Sequence, residues 1–217
     1  MSHEDSNGDT TLGDSSETRR IPSVKLFRKW DVENIVINDL GLKNVIQVKT
    51  ACAIPVSFGR HEHHRFKKSE INIVERLANS LMHFGKRHAK NTGRMGGKKA
   101  KVMNIIKTSF ELLHKETGKN PVELLVRAIE NAAPNEDTTR IVSGGVVYHV
   151  SVDVAPLRRT DLALRFIAEG VRESTYSSPQ SIEEVLAKEI ILASDSDMNS
   201  YAIKKKNERE RISQSSR

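Results

Sequence analysis

Between residues 69 and 193 apolar side chains recur three and four positions apart, the spacing that lines one face of an α-helix. Ile71, Val74, Leu77, Ala78, Leu81 and Phe84 make one such stripe, with Ser69 placed to cap it and Gly85 to end it. Val102, Ile105, Ile106, Ser109, Leu112 and Leu113 predict a second helix over 99–117, closed by Gly118. Asn120-Pro121-Val122-Glu123 supplies an N-cap, a proline at the first helical position and a carboxylate at the third. It opens a third helix running through Ala133, with Leu125, Val126, Ile129 and Ala132 inward. A fourth is expected from Thr160, burying Ala163, Phe166, Ile167, Gly170 and Val171. Ser181 and Glu184 form a capping box for a fifth, whose core positions are Ile182, Val185, Leu186 and Ile190. The segment 199–217 reads as a basic helix or tail.

The period changes from 3.6 to two over residues 138–154. Two β-branched and aromatic runs flank Gly144-Gly145, a dipeptide suited to a two-residue turn in which both positions take positive φ. That turn sets Ser143 against Val146, Ile141 against Tyr148, Arg140 against His149 and Thr139 against Val150. Ile141, Val146, Tyr148 and Val150 then share one face, while Arg140, Val142, Val147, His149 and Ser151 share the other. Upstream, residues 22–68 carry only short apolar patches and read as an extended N-terminal arm anchored by Phe27 and Trp30. The expected fold is mainly α: a bundle of about five to six helices over 69–198 with a protruding β-hairpin, plus the extended arm. Residues 1–21 are polar and acidic, with the composition of a disordered tail.

Charge sharpens this picture. The chain carries a formal net charge of +7, but unevenly. Residues 60–101 sum to +9 and residues 204–217 to +4, whereas 1–20 sum to −3 and 102–203 to −5. Segregated cations point to a polyanion, because each Lys or Arg that meets a phosphate releases condensed counterions. No segment joins a basic face to an aromatic-rich one, and no apolar run reaches membrane-spanning length, so nucleic acid is favoured over a membrane. A lone Cys52 excludes an internal disulfide and fits a reducing, cytoplasmic compartment. In its apolar surroundings, Ala-Cys-Ala-Ile-Pro-Val, the thiol is expected to be packed and inert.

Two stretches invite other chemistry. The His61-Glu62-His63-His64 run lacks the helical spacing of a zinc peptidase and has no Cys pair nearby, so no metal and no cofactor are expected. Residues 86–99 end in Gly-Gly-Lys-Lys, but Thr92 stands where a phosphate loop needs glycine and Lys99 where it needs a hydroxyl. A glycine-loosened basic loop that follows a phosphate backbone is the better account.

Five separated stretches resemble the small-subunit ribosomal protein seven family in its eukaryotic form. KLFRKWDVENIVINDLGL (25–42) is similar to the N-terminal arm of the eukaryotic and archaeal branch, and INIVERLANSLMHFGK (71–86) to the first helix. GKNPVELLVRAIENAAPNEDTTRI (118–141) resembles the third helix and its run into the hairpin, VDVAPLRRTDLAL (152–164) the most diagnostic motif, and NSYAIKKKNERER (199–211) the C-terminus. The resemblance implies a structural, non-enzymatic protein of the cytosolic small subunit that binds the 3′ major domain of ribosomal RNA and organises the head. Its hairpin would lie near exit-site (E-site) transfer RNA and the emerging messenger RNA, among neighbouring proteins of the head and platform. By position, Lys67, Lys68, Lys86, Arg87, Lys98, Lys99, Lys101, Arg158 and Arg159 would contact ribosomal RNA, and Arg140 to His149 would form the exit-site arm. The resemblance likewise places the Lys204-Lys205-Lys206 tail towards RNA near the messenger channel, and Arg60, Arg65, Lys90, Arg94 and Arg165 join these as RNA-binding candidates on charge. Tyr148 and His149 are placed to stack on bases, although Tyr148 on its apolar face suits core packing equally well.

Set against this reading are a DNA-architectural protein inserting a β-arm into the minor groove, and an enzyme built on the histidine run or Cys52. The first wants an apolar wedge at the tip, where Gly144-Gly145 offers none. The second lacks a paired second cluster.

Overall fold

The computed structural model describes residues 24–49, 52–82 and 95–217. The acidic tail and Lys86, Arg87, Lys90 and Arg94 lie outside the described residues. A single 3₁₀ turn (Lys67–Glu70) precedes α1 (Ile73–Leu81), α2 (Lys99–Thr117) and α3 (Pro121–Ala132). The hairpin strands β1 (Glu136–Ser143) and β2 (Val146–Asp153) follow, then α4 (Pro156–Thr175), α5 (Ile182–Ser194) and α6 (Tyr201–Gln214).

The amphipathic stripes meet in one apolar core. α5 packs against α2, α3 and α4, and α4 also touches α1, α3 and α6. Phe110, Ile106, Leu125, Ile129, Ile167 and Leu186 are fully buried within it, each such side chain contributing about 1.5–3 kcal/mol relative to exposure. Phe110 and Met103, both outside the expected stripe of α2, turn inward, while Leu112 is only half-buried. Gly170 of α4 leaves room for α6, since an added Cβ there would stand 2.8 Å from the Cβ of Tyr201. The arm lies on this core through Leu26, Phe27, Val32, Leu42, Ile46 and Val48. Phe27 meets Phe110 edge-on at 6.2 Å, and Trp30 meets His114 at 5.0 Å.

The hairpin has the register expected from its turn, Ser143 opposite Val146 through Arg140 opposite His149, and it extends to Glu136 opposite Asp153. Gly144 and Gly145 take φ of 59° and 81°. From Thr139 to Val150 every residue is exposed, so the arm stands away from the body. Tyr148, at 52% exposure, is not a core residue. Among the described residues the hairpin is held at its root: Ser151 Oγ lies 2.5 Å from Ser213 Oγ of α6, and Val154 N–H donates to Asn135 O.

Two helix starts differ from expectation. Asn72, not Ser69, caps α1, its Oδ1 accepting from Val74 N–H. Asn72 also forms a bridge with Gln47 and donates to Val48 O, so packing of the arm selects it over Ser69. α4 begins at Pro156 with Ala155 at the cap position, and the Thr160 hydroxyl donates to Pro156 O inside the helix. Cys52 is exposed rather than packed, because the arm turns its apolar residues inward at other points.

Candidate nucleic-acid interface

Four helices begin on a side chain that satisfies first-turn amides: Asn72 for α1, Asn120 for α3, Ser181 for α5 and Ser200 for α6. α2 and α4 begin on Lys98 and Ala155 with no side-chain cap and no acidic residue in the first turn. Their first turns instead carry Lys99 and Lys101, and Arg158 and Arg159. Cations there oppose the helix dipole, at about 0.3–1 kcal/mol each, a cost that an anion facing the first-turn amides reverses.

α1 brings both starts to one end of the bundle. Its Glu75 pairs with Lys99 of α2, while the adjacent Arg76 donates to Asp161 of α4 at 3.0 Å. Lys68 of the 3₁₀ turn reaches the other oxygen of Asp161 at 2.9 Å. Glu75 also accepts from the amide and hydroxyl of Ser57 at 2.8 and 2.7 Å, which fixes the loop 57–66 beside the same helices. Burial alone would raise the Glu75 carboxyl. The hydrogen bonds from Lys99 and from Ser57 outweigh it and hold the group below the usual glutamate value.

Within this end the cations divide into two kinds. Arg60, Lys98 and Lys101 are exposed and Lys67 half-buried, and none has an ion pair among the described residues. Arg65 lies 5.2 Å from the centroid of the Phe66 ring. Arg158 is two-thirds exposed and 3.8 Å from Asp137. Lys68, Lys99 and Arg159 have partners inside the fold. The Arg159 side chain is 14% exposed and donates from Nη2 to Asp39 at 2.8 Å and from Nε to Pro134 O at 3.2 Å.

A profile of the family described as ribosomal protein S7p/S5e matches residues 48–217. The chain belongs to that family. The small ribosomal subunit protein uS7 of Cenarchaeum symbiosum is 59% identical over 192 residues, covering 88% of this chain and 96% of its own length. The protein of the same name from Methanosphaera stadtmanae is 44% identical over 193 residues, covering 89% and 98% respectively. Membership makes this a ribosomal protein with a structural, RNA-binding role in translation rather than an enzyme. No group of His, Cys, Asp or Glu suited to a metal occurs among the described residues, and no described helix is long and apolar enough to cross a membrane.

The remaining sequence-chosen cations lie elsewhere on this family member. Arg140 and His149 face one another on the exposed hairpin, flanked by Val142 and Val147. Arg165 pairs with Glu169 in a groove of about 550 Å³ between α4 and α6. There Arg172, Lys205 and Arg209 are balanced by Asp137, Glu173 and Glu208, so the groove does not select an anion. On α6, Lys204 is exposed, Lys205 pairs with Glu208 at 2.6 Å and Lys206 donates to Asn131 O at 2.9 Å. Charge does not mark Phe58 and Phe66, which are 80% and 66% exposed in the basic loop. Their signal is an aromatic side chain within a polar run where no periodicity demands a core residue.

Proposed function

We propose that this chain is a structural constituent of the small ribosomal subunit, binds the 3′ major domain of small-subunit ribosomal RNA and organises the head. The observation that carries this reading is the convergence of two uncapped, cation-bearing helix starts with the basic loop at one end of the bundle. Phosphates approaching that end meet first-turn amides without side-chain caps and the side chains of Arg60, Arg65, Lys67, Lys98, Lys101 and Arg158, which neutralise backbone charge and let RNA helices pack together. Lys68 and Lys99 lend charge while remaining tied to Asp161 and Glu75.

The hairpin, exposed on both faces, reaches towards exit-site transfer RNA and the messenger path, with head and platform proteins as neighbours. The setting is the cytosolic ribosome. The Cenarchaeum and Methanosphaera relatives, which cover 88% and 89% of this chain, are archaeal. They support the archaeal and eukaryotic branch, to which the eukaryotic form belongs, as the source of the N-terminal arm.

Footprinting on transcribed domains of the small-subunit RNA tests the assignment. Selective protection within the 3′ major domain is expected, together with co-sedimentation of the chain with small subunits in high salt. Equal binding to duplex DNA, or a chain that stays at the top of the gradient in low salt, overturns it.

A further inference from the structure

We infer that Phe58 and Phe66 are stacking platforms for unpaired RNA bases, placed among the cations that hold the flanking phosphates; this rests on the RNA-binding reading above. Both rings are largely open to solvent, and both residues take left-handed backbone angles, φ 52° and 64°. That conformation costs a bulky side chain about 1 kcal/mol or more, so the surrounding structure must enforce it.

It does so at both positions. Ser57, next to Phe58, is fixed by two hydrogen bonds to Glu75, itself buried. The Phe66 carbonyl accepts from both the amide and the hydroxyl of Ser69, at 3.1 and 2.8 Å, at the start of the 3₁₀ turn. The rings are thus displayed from anchored backbone, which lowers the entropy lost when a ligand seats on them. The Arg65 guanidinium over the Phe66 ring leaves most of that residue open.

The neighbours decide the occupant. An apolar protein surface covering these rings would also bury Arg60 and Arg65, at a large desolvation cost. A looped-out nucleotide meets both demands, its base on the ring and its phosphate on the cation. Bases inside a paired helix present no face, so the platforms select single-stranded or bulged segments.

Binding of the full chain to a transcript of the 3′ major domain, measured across a salt series, tests the inference. Phe66→Ala and Phe58→Ala are expected to weaken binding by about tenfold each with the salt slope unchanged, because a stack and not a phosphate contact is lost. Phe66→Tyr is expected to bind like the parent, and Phe66→Leu like the alanine variant. Ultraviolet crosslinks from residues 58 and 66 should map to unpaired nucleotides. Alanine variants that bind as tightly as the parent overturn the inference, as does full affinity in Phe66→Leu, which would mark an apolar contact. A parent chain that fails to bind this transcript sinks the RNA assignment itself and is told apart by that control.

Discussion

The helical body and the hairpin are made largely from the same aliphatic residues and treat them in opposite ways. In the body, Ile106, Ile129, Ile167 and Leu186 are fully buried on several neighbouring elements at once. In the hairpin, Ile141, Val142, Val146 and Val147 are about half exposed or more, and among the described residues each strand is paired in the sheet only with the other. A helix buries one stripe and needs a neighbour; a two-stranded ribbon has two faces, and here both stay exposed beyond the root among the described residues. The body therefore carries the stability, and the hairpin carries surface held in a defined register for something outside the chain.

The largest test of this contrast is truncation on each side. Phe110→Ala should lose about 3–5 kcal/mol in urea unfolding. Ile141→Ala should lose less than about 1 kcal/mol, the scale of one cross-strand pair. Equal losses would place the hairpin in the cooperative core and break the distinction.

Arg158 and Arg159 sharpen it at the boundary, since they are adjacent in sequence and follow the hairpin root. Arg159→Ala should cost about 1.5–3 kcal/mol by removing charge-assisted hydrogen bonds to Asp39 and Pro134 O, with faster amide exchange at Gly41 and Val154. Arg158→Ala should leave stability within about 0.5 kcal/mol and lower the salt slope of RNA binding by about one. Reversed effects would exchange the two roles.

A smaller change is expected with pH. The Glu75 carboxyl titrates lower in the folded chain than the ordinary glutamate value of 4.5. Its contribution is therefore complete above that value and is lost as pH falls through the folded pKa. Unfolding midpoints followed downward from pH 5 should drop more steeply in the parent than in Glu75→Gln, and parallel curves would remove Glu75 from the account. Smallest of all, Lys205→Ala on α6 should shift stability by less than about 0.5 kcal/mol, because its pair with Glu208 is solvated.

The elements were legible wherever a local rule suffices. Asn120-Pro121 and Ser181 cap the helices they were expected to cap, and Gly144-Gly145 sets the strand register, because each depends on a few adjacent residues. At the start of α1 two cap-type residues, Ser69 and Asn72, compete, and Asn72 prevails through contacts to Gln47 and Val48 that the local sequence does not show. The Thr160 hydroxyl has the chemistry of a cap, whereas Pro156 at the first helical position opens α4.

For the candidate site, residue type identified the basic stretches but not the state of each cation. Lys98 and Lys99, or Arg158 and Arg159, look alike in the chain. One of each pair is exposed, and the other is hydrogen-bonded to an acid 24 or 120 residues away. The amino-acid order by itself determined the helices, the hairpin register, the charge segregation and the family, since periodicity, turn chemistry and composition act over short range. Tertiary structure alone decided which cations face outward, which helix starts converge and which aromatic rings are displayed. Those outcomes depend on how α1 seats against α2, α4 and the arm, and an ion pair forms only where packing brings its two charges within a few ångströms of each other.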